Sequence, residues 1–234
     1  MKKVFKAILT IIFIGLVIYV IYRNIALRKI PSENLIKDEA TSSLYHDILP
    51  NSSNTIWANY YFSHDNVSQK DIPTDMTYNI AFKKLGSSEK QISSDKFKES
   101  YEALFGPNTY KPVSTLTGGC NTYTYDDNTK IYSKTTNIPC PSTKVYILSK
   151  IVDAEYTDKN MEITVVIAYI DNETKTVYKE CNEDMSSCSS VIKNNFTEFD
   201  EANLEQVKDK LHKYKFTYNN INDEYYFSSV RKIS

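Results

Sequence analysis

The residues with the most chemical potential in this chain are four cysteines, Cys120, Cys140, Cys181 and Cys188. Their intervals of 20, 41 and 7 positions contain no C-x-x-C pair and match no common zinc knuckle. No basic cluster surrounds any of them to hold a reactive thiolate. An even number of cysteines in a chain with an export-type N-terminus reads instead as a set of disulfide staples. Four cysteines allow three connectivities, and the local one is expected. Cys120 and Cys140 flank one hairpin, and Cys181 and Cys188 flank the polar turn NEDMSS, so sequential pairing bridges segments already close along the chain. Each such bridge is worth ~2–4 kcal/mol.

The other groups able to do chemistry are dispersed. Three histidines are present, His46, His64 and His212, two of them followed directly by an acid. A catalytic imidazole needs a carboxylate and a nucleophile converging in space, which sequence neighbours do not usually supply, so no catalytic residue is assigned. The run Asp126, Asp127, Asn128 lacks the D-x-D-x-D-G order of a calcium loop and reads as a plain turn. Aromatic residues offer a different chemistry. Trp57, Tyr60 and Tyr61 are candidates for a ligand or partner groove, because amphipathic rings bury area while keeping a polar tip; the rival reading places most aromatics in the core.

Composition narrows the classes. With 28 basic residues against 29 acidic ones, spread without long blocks, there is no electrostatic footprint for nucleic acid. Glycine is scarce, at 5 residues, and neither G-x-G-x-x-G nor a Walker-type loop occurs, so the usual backbone cradle for nucleotide phosphates is missing. No cofactor and no metal is implied.

The elements that must position these groups begin with residues 7–22, AILTIIFIGLVIYVIY, sixteen residues without a charge. Counting Val4 and Phe5 around a snorkelling Lys6 brings the run close to the ~20 residues that cross a hydrocarbon core. An uncleaved anchor is expected, since no small-x-small cleavage pattern follows Tyr22; a cleaved signal is the alternative. The flanking charges tie, Lys2, Lys3 and Lys6 against Arg23, Arg28 and Lys29, so orientation rests on the cysteines, which favour the tail outside. The chain therefore divides into a cytoplasmic stub at 1–6, a transmembrane anchor at 7–27 and an extracytoplasmic domain at 30–234.

Within the domain, Ser32 opens a first helix whose apolar residues Ile36, Ala40, Leu44 and Ile48 fall at four-residue intervals. Residues 51–73 show no clean period and read as irregular, with room for one short strand. A second helix runs from Thr74 to Leu85 with Gly86 as its C-terminal cap, and a third follows Ser93 as N-cap, with Ile92 and Phe97 as a hydrophobic staple. Beyond Pro112 the period changes to two. Strands are expected at 122–125, 130–133, 144–156, 162–170 and 174–180, a short one at 190–193, a fourth short helix at 201–211, and a closing aromatic hairpin, 214–218 with 224–233. The expected fold is α+β: an N-terminal transmembrane helix, then three helices packed on a curved, mostly antiparallel β-sheet.

This order over about residues 74–233 resembles the NTF2-like and cystatin-like folds, in which early helices lie in the hollow of a bent sheet. The segments ISSDKFKESYEALFG at 92–106 and KFTYNNINDEYYFSSVRKI at 215–233, separated by a cysteine-containing hairpin, are similar to uncharacterised membrane-anchored proteins of low-GC Gram-positive bacteria. That resemblance implies no activity. The expected function is a non-catalytic domain, tethered to the membrane, that binds a protein, peptide or cell-wall component. The alternatives are a structural subunit of an envelope or conjugation-type secretion assembly, as the NTF2-like resemblance implies, and an enzyme with dispersed catalytic residues.

Overall fold

The computed structural model describes residues 32–50, 55–86, 89–118, 121–137, 144–157, 159–194 and 201–234. The anchor expected at 7–27 lies outside them. Among the described residues, no helix is long and apolar enough to cross a membrane. The architecture is mixed α+β, with a strongly curled antiparallel sheet as expected.

The first helix divides in two, α1 (Ser32–Ile36) and α2 (Glu39–Ile48). Asp38 causes the break: its backbone is extended, and its carboxylate accepts from the amide of Thr41 at 3.2 Å, starting a new helix. The stretch read as irregular contains a third helix, α3 (Thr55–Ser63), before the short strand β1 (Asn66–Ser68) and a 3-10 turn at Gln69–Asp71. Its sequence TIWANYYFS is apolar on most sides, so it has no stripe for a period search to find. The next two helices match expectation. α4 (Thr74–Leu85) ends at Gly86 in the left-handed region (φ 64°), and α5 (Ser94–Phe105) starts from Ser93, whose hydroxyl accepts from the amide of Lys96.

The strands form two sheets rather than one. The smaller has four strands in the order β2 (Gln91–Ser93), β5 (Ile131–Asn137), β4 (Asn121–Asp126), β3 (Thr115–Gly118), and α4 and α5 pack against it. The larger has seven: β1, β6 (Val145–Tyr156), β7 (Asn160–Asp171), β8 (Val177–Cys181), β9 (Cys188–Lys193), β10 (Lys213–Ile221) and β11 (Glu224–Lys232). Strand β7 is its axis. One edge pairs with β6 from Met161 to Asp171, while the other is shared, with β10 along 160–166 and then β8 at Tyr169 and Ile170. The sheet forks there, and bulges at Ile151/Asp153 and Thr217/Tyr218 bend it further.

The fork explains why β7 reads as a continuous apolar run. Met161, Ile163, Val165, Ile167 and Tyr169 face the main core, whereas Val166, Ala168 and Ile170 face a second cluster with Val177, Leu204, Val207 and Leu211. Leu204 belongs to α6 (Glu201–Glu205), which covers the other side of the sheet, so the helices are not confined to one face. The final hairpin turns on Asn222 and Asp223, both at positive φ, as a two-residue turn requires.

Tyrosine is abundant, at 19 residues, and the core shows one use for it. Tyr61, Tyr214 and Tyr218 bury their rings against Phe62, Phe216 and Phe227 and donate their hydroxyls to the carbonyls of Ile48, Phe62 and Leu44, at 3.3, 2.7 and 2.9 Å. Ile48 and Phe62 lie in the last turns of α2 and α3, where carbonyls lack helical partners, and Leu44 lies one turn before the end of α2. Lys83 serves the same end, with its ammonium on the carbonyls of His46 and Leu49 at 2.6 and 2.9 Å.

Candidate binding cleft

Helix α5 ends at Gly106, whose φ of 97° with ψ of 162° is a backbone state that side-chain-bearing residues avoid. The chain then crosses the helix pair as a loop, 107–114, before entering β3. Side chains of the helices and of the small sheet hold this loop in place. The Tyr78 hydroxyl donates to the carbonyl of Lys111. The amide of Val113 donates to the Tyr132 hydroxyl at 3.2 Å, and the Tyr110 hydroxyl shares hydrogen bonds with Ser94 and Tyr132, each at 3.0 Å. Thr109 closes the turn by donating to the carbonyl of Gly106 at 2.5 Å.

The 3-10 turn Gln69–Asp71 stands across from the loop and is held as firmly. Tyr60 donates its hydroxyl to the carbonyl of Asp71 at 2.8 Å, and the Gln69 amide donates to the carbonyl of Phe105 at 2.7 Å. Between loop and turn lies an open cleft of about 980 Å³. Ser68, Gln69, Lys70 and Ile72 line one side; Asn108, Thr109, Lys111, Pro112 and Val113 the other; Thr74, Thr77, Tyr78, Tyr101 and Ser228 complete it.

The lining mixes polar and apolar residues. Lys70 and Lys111 belong to it, and among the described residues no acid or histidine does. Asp71, beside it, has its carboxylate engaged by the hydroxyl and amide of Ser68, and that hydroxyl bond holds its pKa low. Burial pushes the Tyr78 phenol up to about 12 and raises that of Tyr101, so both remain neutral donors at ordinary pH. Rings, hydroxyls, amides and two cations on fixed backbone can orient and hold a ligand.

The aromatic residues singled out in the sequence lie on α3, behind this cleft. Tyr60 touches the backbone of its wall. Trp57 packs half-buried against the core, and Tyr61 is wholly enclosed, with no surface for a ligand. The cleft was not legible from the sequence because its residues come from five separate segments, and none is unusual alone. The nearest signal was Gly106-Pro107 followed by Pro112, which marks a shaped loop.

Cys181 and Cys188 form the expected disulfide across the β8–β9 pair, with Cα atoms 4.0 Å apart. Cys120 and Cys140 lie outside the described residues. His212 places Nδ1 at 2.9 Å from the Ser234 carbonyl and Nε2 at 3.7 Å from Glu180, while Ser189 and Ser190 donate to Glu180 and not to the ring. His46 lies in α2, and His64 follows α3 with Nδ1 2.9 Å from the carbonyl of Tyr60. Asp126 makes the expected turn, accepting from the amide of Asn128 at 2.9 Å. Comparison of the chain with protein-family models, with curated proteins and with solved structures found no match.

Proposed function

We propose that this protein is a non-catalytic binding protein, tethered to a membrane through residues 7–27, whose outward-facing domain holds a protein, peptide or cell-wall component in the cleft between the 3-10 turn and the 107–114 loop. The observation that carries the reading is the cleft itself: about 980 Å³, walled by hydrogen-bonded backbone, and lined by lysine, hydroxyl-bearing and tyrosine residues alongside apolar ones. The Cys181–Cys188 bridge is the supporting sign for the outward side, because such bonds persist in oxidising compartments.

The test is Ser228→Trp, which puts a large ring at the cleft's base on β11 while leaving the buried face of that strand alone. Binding of soluble cell-wall fragments and of an unstructured peptide library to the full chain is measured with and without the substitution. The reading requires that at least one probe bind the native chain and lose affinity in the variant. Probes that bind both forms equally would overturn it.

A further inference from the structure

We propose that the edge strand β6 (Val145–Tyr156) is where a second copy of this chain docks, the two β6 strands pairing antiparallel about a twofold axis.

Strand β6 is paired on one side only. β7 takes that side from Val145 to Tyr156, and among the described residues no strand takes the other. No hydrogen bond joins the backbone of 147–156 to any described element but β7. The other edge strands, β1, β2, β3 and β9, run for three to six residues, whereas β6 runs for 12. Both of its faces are apolar. Ile147 and Ile151 pack on the main core, where α1 contributes Leu35, and Tyr146, Leu148 and Val152 pack on the second cluster, where α6 brings Glu205 to Lys150 at 2.5 Å. Residues 146–152 are all half-buried rather than enclosed. A long edge of this kind is a template for another strand.

The charges fit this strand to its own copy. The bulge sets Lys150 beside Val166 and Asp153 beside Thr164, two residues apart on β7, so both side chains lie on one face of the sheet. An antiparallel pairing that places Lys150 opposite Asp153 of the copy therefore makes the same ion pair twice by symmetry. On the other face this register sets Ile147 against Tyr156 and Ser149 against Ala154, and Ile151 and Val152 meet at the axis. Tyr156, at 38% one of the few exposed large hydrophobics, is then covered by Ile147. Leu148 opposite Glu155 is the one mismatched pair.

The test is sedimentation equilibrium of the full chain in detergent micelles. The native chain should dimerise with concentration. Lys150→Asp and Asp153→Lys each set like charges opposite one another, and each alone should weaken association about tenfold. Mixed together, the two variants again place opposite charges in register and should associate as the native chain does, a recovery that a folding defect could not give. Val191→Lys, on the edge strand β9, should leave association unchanged. A native chain that stays monomeric at every concentration would overturn the proposal, as would a dimer indifferent to both β6 substitutions. Failure of the mixture to recover would overturn the register, and loss of association in Val191→Lys alone would move the interface to β9.

Discussion

The phenol of Tyr78 on α4 donates to the carbonyl of Lys111, so one lining residue of the cleft is fastened to a helix that also lines it. The bond joins positions 33 apart in sequence and ties the backbone of a crossing loop to a rigid element. Tyr78→Phe keeps the ring against Phe97 and removes only the bond. The expected cost in stability is about 1 kcal/mol, measured by urea unfolding. Ligand affinity should fall together with protection of the loop amides from hydrogen exchange. An unchanged exchange rate at residues 109–113 would show that the bond does not order the loop.

How much of this was legible beforehand follows the physics of each segment. α4 and α5 were readable because Gly86, Ser93 and the staple of Ile92 and Phe97 are local signals, settled within one helical turn. α3 was not, since a helix enclosed by core loses its amphipathic stripe; Asn59 and Tyr61, fully buried, sit where a surface helix would be polar. The split of the strands into two sheets was hidden too. Nothing in the alternation of 122–125 or 130–133 says that the first pairs with residues 115–118 and the second with residues 91–93 rather than with β6. The cleft is built across that division, and its residues were therefore the least readable of all.

Asn59 is the buried polar joint of the main core. Its amide oxygen accepts from the Tyr169 hydroxyl, and its nitrogen donates to the carbonyls of Asn182 and Glu183 at 2.8 and 3.0 Å. This docks the disulfide hairpin turn, with Met185 buried, onto α3. Asn59→Leu keeps the volume but strands a hydroxyl and two carbonyls, which should cost about 3 kcal/mol in urea unfolding. A loss under 1 kcal/mol would mean that water replaces the amide, contrary to its complete burial.

The Cys181–Cys188 bridge closes a short loop, so its entropic contribution is modest. Replacing both residues with alanine should cost about 2 kcal/mol and lower the thermal midpoint without changing the fold. The double variant isolates this pair from Cys120 and Cys140, which a reducing agent does not. A stability equal to that of the native protein would indicate that Asn59 alone holds the turn.

Alkaline pH should destabilise the protein in a defined window. Tyrosine becomes charged on losing its proton, and burial lifts the phenols of Tyr78 and Tyr146 from 10.0 to about 12. Between those values the unfolded chain binds fewer protons than the folded one, so stability is full below pH 10.0 and falls as pH rises toward 12. Tyr169, Tyr214 and Tyr218 are raised by burial as well and act in the same sense. Phenolate absorbance should show a late-titrating set that ionises together with loss of near-ultraviolet circular dichroism. Reversible titration of all tyrosines near pH 10, with the fold intact, would contradict the burial described.

The proposed function places the ligand of this protein in the cleft between the 3-10 turn and the 107–114 loop. The most direct measurement is amide chemical-shift mapping of the full chain during titration with the soluble cell-wall fragments and with the peptide library. Saturable shifts are expected at Lys70, Asn108, Thr109, Lys111 and Ser228, drawn from three separate segments lining the cleft, together with their loss in Ser228→Trp. Saturable shifts confined to other surfaces, with these five amides unmoved, would contradict it.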